Sequence, residues 1–289
     1  MREYQGFGAA DELIRLALRE DIGTGDITTL SVIPEGTIAY GRYIAKEDGV
    51  LCGMDVVRRV FELLDEDKAF VLTAHFEDGD VFRKGDVLAE IRGSAVTLLS
   101  GERVGLNLLQ HLSGVATLTR AAVNAVAGTN ARIADTRKTT PGMRVLEKYA
   151  VRVGGGSNHR FHLADGVLIK DNHIVAAGGI TAAVKAARCH VPHTLKIEVE
   201  VETEAQIKEA LSAGADIIML DNMDEASMAA AVRLIDGRAI TEASGNMGER
   251  DLRLVAETGV DLISIGALTH SARALDISLK FKLEGAQNA

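Results

Sequence analysis

Six short apolar segments in the latter half of the chain each run out into polar, charged or glycine residues. Residues 132–134 are followed by Asp135, Thr136, Arg137 and Lys138, and residues 167–169 by Lys170, Asp171, Asn172 and His173. Residues 196–201 carry Glu198 and Glu200, with Glu202 next in the same alternation. Asp221 and Asn222 follow 216–220, and Glu242, Ala243, Ser244, Gly245 and Asn246 follow 238–241. Residues 262–265 end at Ile265 and run into Gly266, Ala267, Leu268 and Thr269. Any one Lys or Asp in such a place is ordinarily a turn residue or a helix cap. Six groups in succession at one end of a sheet read instead as a polyanion site. The stretch 153–160 adds His159 and Arg160 after three glycines, unless it is an ordinary exposed linker. The cations are then Arg137, Lys138, His159, Arg160, Lys170 and His173, set against Glu200 and Asp221. On a chain of net charge −9, that concentration points to a small, highly anionic substrate.

Two of the segment ends offer glycine where a phosphate could approach the backbone. Ser244-Gly245-Asn246 and Ile265-Gly266-Ala267 follow the last two strands, where barrels often hold a phosphate against backbone N–H groups. Alternation puts Glu198, Glu200 and Glu202 on one face of their strand. Turned into a barrel, three carboxylates need lysine, Mg²⁺ or sugar hydroxyls beside them. On an edge strand they would be solvated.

The elements that position these groups follow from apolar spacing. From about residue 130, β-type segments alternate with helical stretches at 203–213, 224–235 and 249–257, the pattern of a parallel sheet. Six strands fall short of the eight of a complete barrel, so the sheet is an open barrel or a doubly wound one. No Gly-x-Gly-x-x-Gly follows a strand, which favours the barrel. The earlier part reads as a mixed α/β region. It has a helix over 11–19, a glycine-rich turn at 21–26 and short strands at 38–45, 70–75 and 87–91. Tight turns stand at 77–80 and 83–86, and a long helix starts near Ser100.

Composition narrows the class. The chain has 289 residues, 47% of them hydrophobic and 25% charged, the balance of a globular protein. Its acidic charge argues against nucleic acid as a bulk partner. No apolar run approaches the roughly 20 residues of a membrane span. The first twenty residues lack the apolar stretch of a signal peptide, and two cysteines make neither a disulfide framework nor a zinc site. A cytoplasmic location is expected.

Three motifs, Asp135-Thr136-Arg137-Lys138-Thr139-Thr140-Pro141-Gly142, Gly154-Gly155-Gly156-Ser157-Asn158-His159-Arg160 and Leu168-Ile169-Lys170-Asp171-Asn172-His173, resemble the quinolinate phosphoribosyltransferase family. So do Glu20-Asp21-Ile22-Gly23-Thr24-Gly25-Asp26-Ile27-Thr28-Thr29, Ser100-Gly101-Glu102-Arg103, residues 217–222, Ser244-Gly245-Asn246 and residues 265–270. The resemblance covers nearly the whole chain in order. It implies an N-terminal α/β (α+β) domain over 1–112 joined by the C-terminal tail 271–289. An incomplete parallel α/β barrel over 113–270 completes the chain. It also implies a homo-oligomer, at least a dimer, with Arg103 donated across the interface to the neighbouring site. Quinolinate-binding positions fall on Arg137, His159, Arg160 and Lys170, with Thr136 adding contacts and Lys138 where the two substrates meet. Glu200 and Asp221 match positions for ribose hydroxyls and Mg²⁺, and Ser244, Gly245, Asn246, Ile265, Gly266 and Ala267 match phosphate-binding loops. His162 departs from the family pattern, in which a small residue is common.

The implied reaction is decarboxylating phosphoribosyl transfer from phosphoribosyl pyrophosphate to quinolinate. Its products are nicotinate mononucleotide, CO₂ and pyrophosphate, a pentosyltransferase step of NAD biosynthesis that uses Mg²⁺ and no organic cofactor. Lys138, Glu200 and Asp221 are the expected catalytic groups, and Lys138 or water the proton donor. Two alternatives stand beside it: a paralogue associated with molybdate uptake, and a nicotinate phosphoribosyltransferase using the mono-acid.

Overall fold

In the computed structural model, residues 7–65, 67 and 69–283 are described. The earlier elements are α1 (Phe7–Ile22), α2 (Ile27–Val32), β1 (Ile38–Ala45), β2 (Gly49–Val50), α3 (Met54–Leu64), β3 (Val71–Ala74), β4 (Val81–Phe82), β5 (Val87–Ser94) and α4 (Ala95–Ala125). There follow β6 (Arg132–Ala134), α5 (Arg144–Val153), β7 (Val167–Ile169), α6 (Asp171–Ala177), α7 (Ile180–His190), β8 (Ile197–Val201) and α8 (Glu204–Ala213). The chain continues through β9 (Ile217–Asp221), α9 (Glu225–Ile235), β10 (Ile240–Ser244), α10 (Leu252–Glu257), β11 (Leu262–Ser264), α11 (Ala267–His270) and β12 (Ile277–Leu283). Two compact units result. The first holds the described residues up to 118, with 140–154 and those from 272 onward; the second holds 119–139 and 155–271.

In the first unit an antiparallel sheet of order β12-β1-β5-β3 buries alternate residues, such as Ala39 and Tyr43, with Ile91, Phe61 and Leu98 in one core. The return of the chain end to this sheet is fixed by Gln110, whose Nε2 donates to the Ile277 carbonyl at 2.7 Å. The turns at 77–80 and 83–86 are built alike: the Asp80 and Asp86 carboxylates each accept a backbone N–H three residues back, at 2.8 Å. The glycine-rich turn ends α1, and Asp26 then caps α2 by accepting from the Thr29 backbone at 3.0 Å. That short helix was not apparent from its apolar spacing. The long helix starts at Ala95 and not near Ser100, because β5 runs straight into it.

The second unit is the parallel sheet, of order β6-β11-β10-β9-β8-β7. Strands from β7 to β11 lie side by side in chain order, and β6 flanks β11, as in an incomplete barrel. Thr203 and Gln206 form a reciprocal cap that starts α8, and Gly214, at φ 83°, ends it in the left-handed conformation that glycine adopts freely. Because β8 lies between β7 and β9, the solvated edge-strand reading of Glu198 and Glu200 is incorrect. Glu202 lies beyond the strand and is exposed. The fifth strand of the pattern is displaced toward the C-terminus: β10 pairs with β9 from Ile240↔Ile217 to Ser244↔Asp221, so Glu242 and Ser244 lie within it. Among the described residues no helix is long and apolar enough to cross a membrane.

Gly114 on α4 tests the packing of the first unit. A Cβ there would stand 2.0 Å from the Arg273 carbonyl oxygen, a backbone atom with no rotamer to escape into. Gly114→Ala is expected to destabilise the chain by about 1–3 kcal/mol, read as a lowered melting temperature.

Candidate active site

The site begins with a buried carboxylate. Asp135, fully buried just past β6, accepts from the Asn158 side-chain amide at 2.6 Å and from the His159 backbone N–H at 2.8 Å. Ser157 adds two backbone bonds to this edge: its N–H donates to the Ile133 carbonyl at 2.8 Å, and its carbonyl accepts the Asp135 N–H at 3.1 Å. The glycine-rich loop thereby extends the edge of β6, and His159 and Arg160 are delivered to the carboxyl ends of the strands.

Those ends surround a cavity of about 480 Å³. Thr136, Arg137, Lys138, His159, Arg160, Lys170, Glu200, Asp221, Ser244, Gly245 and Asn246 all line it. Of the residues expected there, Ile265, Gly266 and Ala267 do not. Gly266 acts from behind: a Cβ on it would stand 2.9 Å from Lys138 Cδ, so the glycine leaves room for that side chain. Thr269 Oγ1 donates to the Lys138 carbonyl at 2.8 Å. Arg103 is exposed on α4 in the first unit. His173 lines no part of the cavity; its Nδ1 accepts the Lys170 N–H at 3.0 Å. His162 is exposed and faces Asp165, 3.1 Å away.

Charge inside the cavity is arranged in pairs. Lys170 Nζ is ion-paired with Glu200. The Asp221 carboxylate accepts from Asn222 Nδ2 at 2.7 Å. Arg160 donates to the Gly166 carbonyl at 2.8 Å. Burial, and then the like charge of Arg137, make the protonated Arg160 less favourable than a free guanidinium. Two neighbouring guanidiniums of this kind can bind carboxylates through paired N–H donors. Gly245, at φ 95°, has no room for a side chain: a Cβ would stand 2.2 Å from Asn222 Oδ1 and 2.8 Å from its backbone nitrogen.

Below the guanidiniums lies a group that sequence reasoning missed. His159 Nε2 stands 3.2 Å from Glu198 Oε2 and 3.6 Å from Glu242 Oε1. Its Nδ1 accepts the Arg160 backbone N–H at 2.8 Å. A ring nitrogen that accepts carries no proton, so this geometry assigns the neutral tautomer protonated at Nε2. His159, counted among the cations from its type, is a neutral donor to carboxylates here. Glu198 and Glu242 are 4% and 1% exposed, and one atom from each of the three side chains falls within 4.8 Å of the others. Two carboxylate charges at that separation repel by about 3.5 kcal/mol at an effective dielectric near 20. Burial, followed by the Glu198 charge, pushes the Glu242 carboxyl up to about 7. Burial and the neighbouring carboxylate thus favour the protonated form of Glu242. Ser264 Oγ donates to Glu242 Oε1 at 2.5 Å.

The displaced register of β10 turns Glu242 inward beside Glu198, and no local signal in the sequence marks that displacement. Asp135 had its own signal: an acidic residue between an apolar strand and two cations.

The chain as a whole is similar to known proteins. The chain matches the N-terminal domain of quinolinate phosphoribosyl transferase over residues 26–113 and the C-terminal domain over 115–280. It is 50% identical over 264 residues to the probable nicotinate-nucleotide pyrophosphorylase (carboxylating) of Bacillus subtilis (strain 168), covering 91% of this chain and 90% of that one. It is 44% identical over 277 residues to the nicotinate-nucleotide pyrophosphorylase (carboxylating) of Mycobacterium leprae, covering 94% and 97%. The crystal structure of NadC from Streptococcus pyogenes matches it with a TM-score of 0.90 at 44% identity, covering 96% of this chain and 98% of that one. With both domains matched in order and strand ends converging on one cationic cavity, the chain belongs to the quinolinate phosphoribosyltransferase family.

Proposed function

We infer that this chain transfers the phosphoribosyl group of phosphoribosyl pyrophosphate to the ring nitrogen of quinolinate, with loss of CO₂, to give nicotinate mononucleotide. The observation that carries this reading is the convergence of Arg137, Arg160, Lys138 and Lys170 on one cavity in a chain whose relatives bear the carboxylating name. Nothing in these similarities supports the molybdate-associated alternative.

Quinolinate is a dianion with two adjacent carboxylates. Arg137, Arg160 and Lys170 bind them, His159 and Thr136 complete the wall, and Lys138 stands at the junction with the second substrate. Glu200 and Asp221, at the ends of the neighbouring strands β8 and β9, hold the ribose hydroxyls and stabilise positive charge growing on the sugar. They also fit Mg²⁺: both are hard oxygen donors on one cavity, and Mg²⁺ takes one or two carboxylates alongside water and phosphate oxygens. Mg²⁺, when bound, supplies charge neutralisation for the departing pyrophosphate. Ser244, Gly245 and Asn246 hold the phosphate, while Gly266 leaves room for the Lys138 side chain. The ring nitrogen takes on positive charge as it bonds to the ribose carbon, and that charge accepts the electron pair left by CO₂. No organic cofactor is required. Arg103, exposed on α4, completes the site of a neighbouring subunit in a homo-oligomer.

Carboxyl-labelled quinolinate is expected to release labelled CO₂ only when phosphoribosyl pyrophosphate and Mg²⁺ are both present. Turnover of nicotinate in place of quinolinate would favour the mono-acid enzyme. Arg160→Lys exchanges a planar fork for a point charge, and its KM for quinolinate should rise roughly 10- to 100-fold, the effect of about 1–3 kcal/mol of lost charge-assisted bonding. Steady-state kinetics with quinolinate as the varied substrate would measure it. Mixing inactive Arg103→Ala and Lys138→Ala chains should regenerate intact sites, about a quarter of the total if two subunits pair at random. No regained activity after co-refolding would remove Arg103 from the neighbour's site.

A further inference from the structure

We propose that Glu242 is the acid that protonates the ring carbon from which CO₂ has departed, and that it is recharged through a second cavity. The proposal rests on the reaction inferred above, which consumes one proton per turnover at that carbon. Heterolysis of the carbon–carboxylate bond leaves CO₂ neutral and the electron pair on the ring. That pair takes the proton from the Glu242 carboxyl group, and the resulting carboxylate regains a proton from water.

The second cavity has a volume of about 400 Å³ and is lined by Arg132, Lys196, Ile217 and Leu262, which stand at the amino ends of β6, β8, β9 and β11. Ser157, Asn158 and Gly166 line it as well, so it reaches from those strand starts to the glycine-rich loop. Among the described residues, His159, Arg160 and Glu242 are those that line both this cavity and the substrate cavity. Arg160 keeps its protons, because a guanidinium does not act as an acid in this pH range. His159 cannot present a proton to the substrate: Nδ1 accepts from the Arg160 N–H and Nε2 is turned to the carboxylates. Glu242 alone of the three can release a proton toward one cavity and recover it from the other.

Its surroundings hold that proton in reserve. Burial and the Glu198 charge on β8 favour the protonated acid, whereas His159, the Ser264 hydroxyl on β11 and the more distant Lys170 favour the carboxylate. Its register partner on β9 is Met219, which does not titrate. The balance puts the group near 7, where a general acid is most effective at neutral pH. Being an acid, it works when protonated, so turnover falls as the pH rises past this value.

Labelled CO₂ release under single-turnover conditions tests the assignment. Glu242→Gln keeps the shape and removes the proton. It should slow release on the order of 100-fold, the contribution expected of a general acid, while quinolinate affinity by titration calorimetry stays within about twofold, since an effect confined to the chemical step leaves binding alone. Ser264→Ala removes a hydrogen bond that favours the carboxylate, so the alkaline limb of the rate profile should move to higher pH. This second variant keeps the test open if Glu242→Gln does not fold. The proposal is overturned if Glu242→Gln releases CO₂ at the wild-type rate, or if Ser264→Ala leaves the alkaline limb in place. A wild-type chain that releases no CO₂ would instead overturn the reaction itself, and the proton donor with it.

Discussion

The cationic wall of the cavity depends on one carboxylate that does not itself line it. Asp135 is fully buried, and an ionised carboxyl in such a place is costly unless its oxygens accept hydrogen bonds. The donors come from one segment, the glycine-rich loop, through the Asn158 amide and the His159 N–H. Satisfying Asp135 therefore docks that loop, and the docked loop sets His159 over the buried glutamates and Arg160 beside Arg137. Residues close in sequence to Asp135 meet residues some twenty positions later because the parallel sheet leaves the edge of β6 open to them. Ser157 takes up that edge with two backbone bonds.

A layered charge pattern results. Guanidiniums and lysines form one layer of the wall; Glu242, which also lines the cavity, and Glu198 form a second, with a neutral imidazole against both carboxylates. The second layer cannot hold two negative charges at low cost in a medium that screens weakly, so protonation of Glu242 is favoured there. The first layer is crowded with like charge and is relieved by an anion. An acidic protein can build such a pocket because local geometry, and not net charge, sets the field inside a cleft.

Much of this is legible in the sequence, for a topological reason. A parallel sheet places its strand ends on one face. The polar residues just past each apolar segment therefore converge, and they include Thr136 to Lys138, Lys170, Glu200, Asp221 and Ser244 to Asn246. His159 and Arg160 join them from the glycine-rich loop. The remainder depends on register. Ending the β10 segment at Thr241 leaves Glu242 in a loop, because a charged residue is a poor guess for a strand interior; pairing with β9 carries the strand on to Ser244. Which face of β8 looks inward, and which tautomer His159 adopts, are set by partners distant in sequence. Arg103 has no local signal at all, and its place in the scheme comes from family resemblance alone.

The same geometry bears on the choice between a diacid and a mono-acid. Arg160 is held by the Gly166 carbonyl, and the Arg137 charge stands close enough to disfavour that of Arg160. One carboxylate can neutralise one guanidinium, and the repulsion at the pair would then be only partly relieved. A site built around a polar group discriminates against a ligand that lacks its partner, because the unmatched group keeps its desolvation cost. Vicinal carboxylates remove that cost from both guanidiniums together. The like charge that Arg137 sets against Arg160 therefore favours a ligand with two carboxylates over one with a single carboxylate.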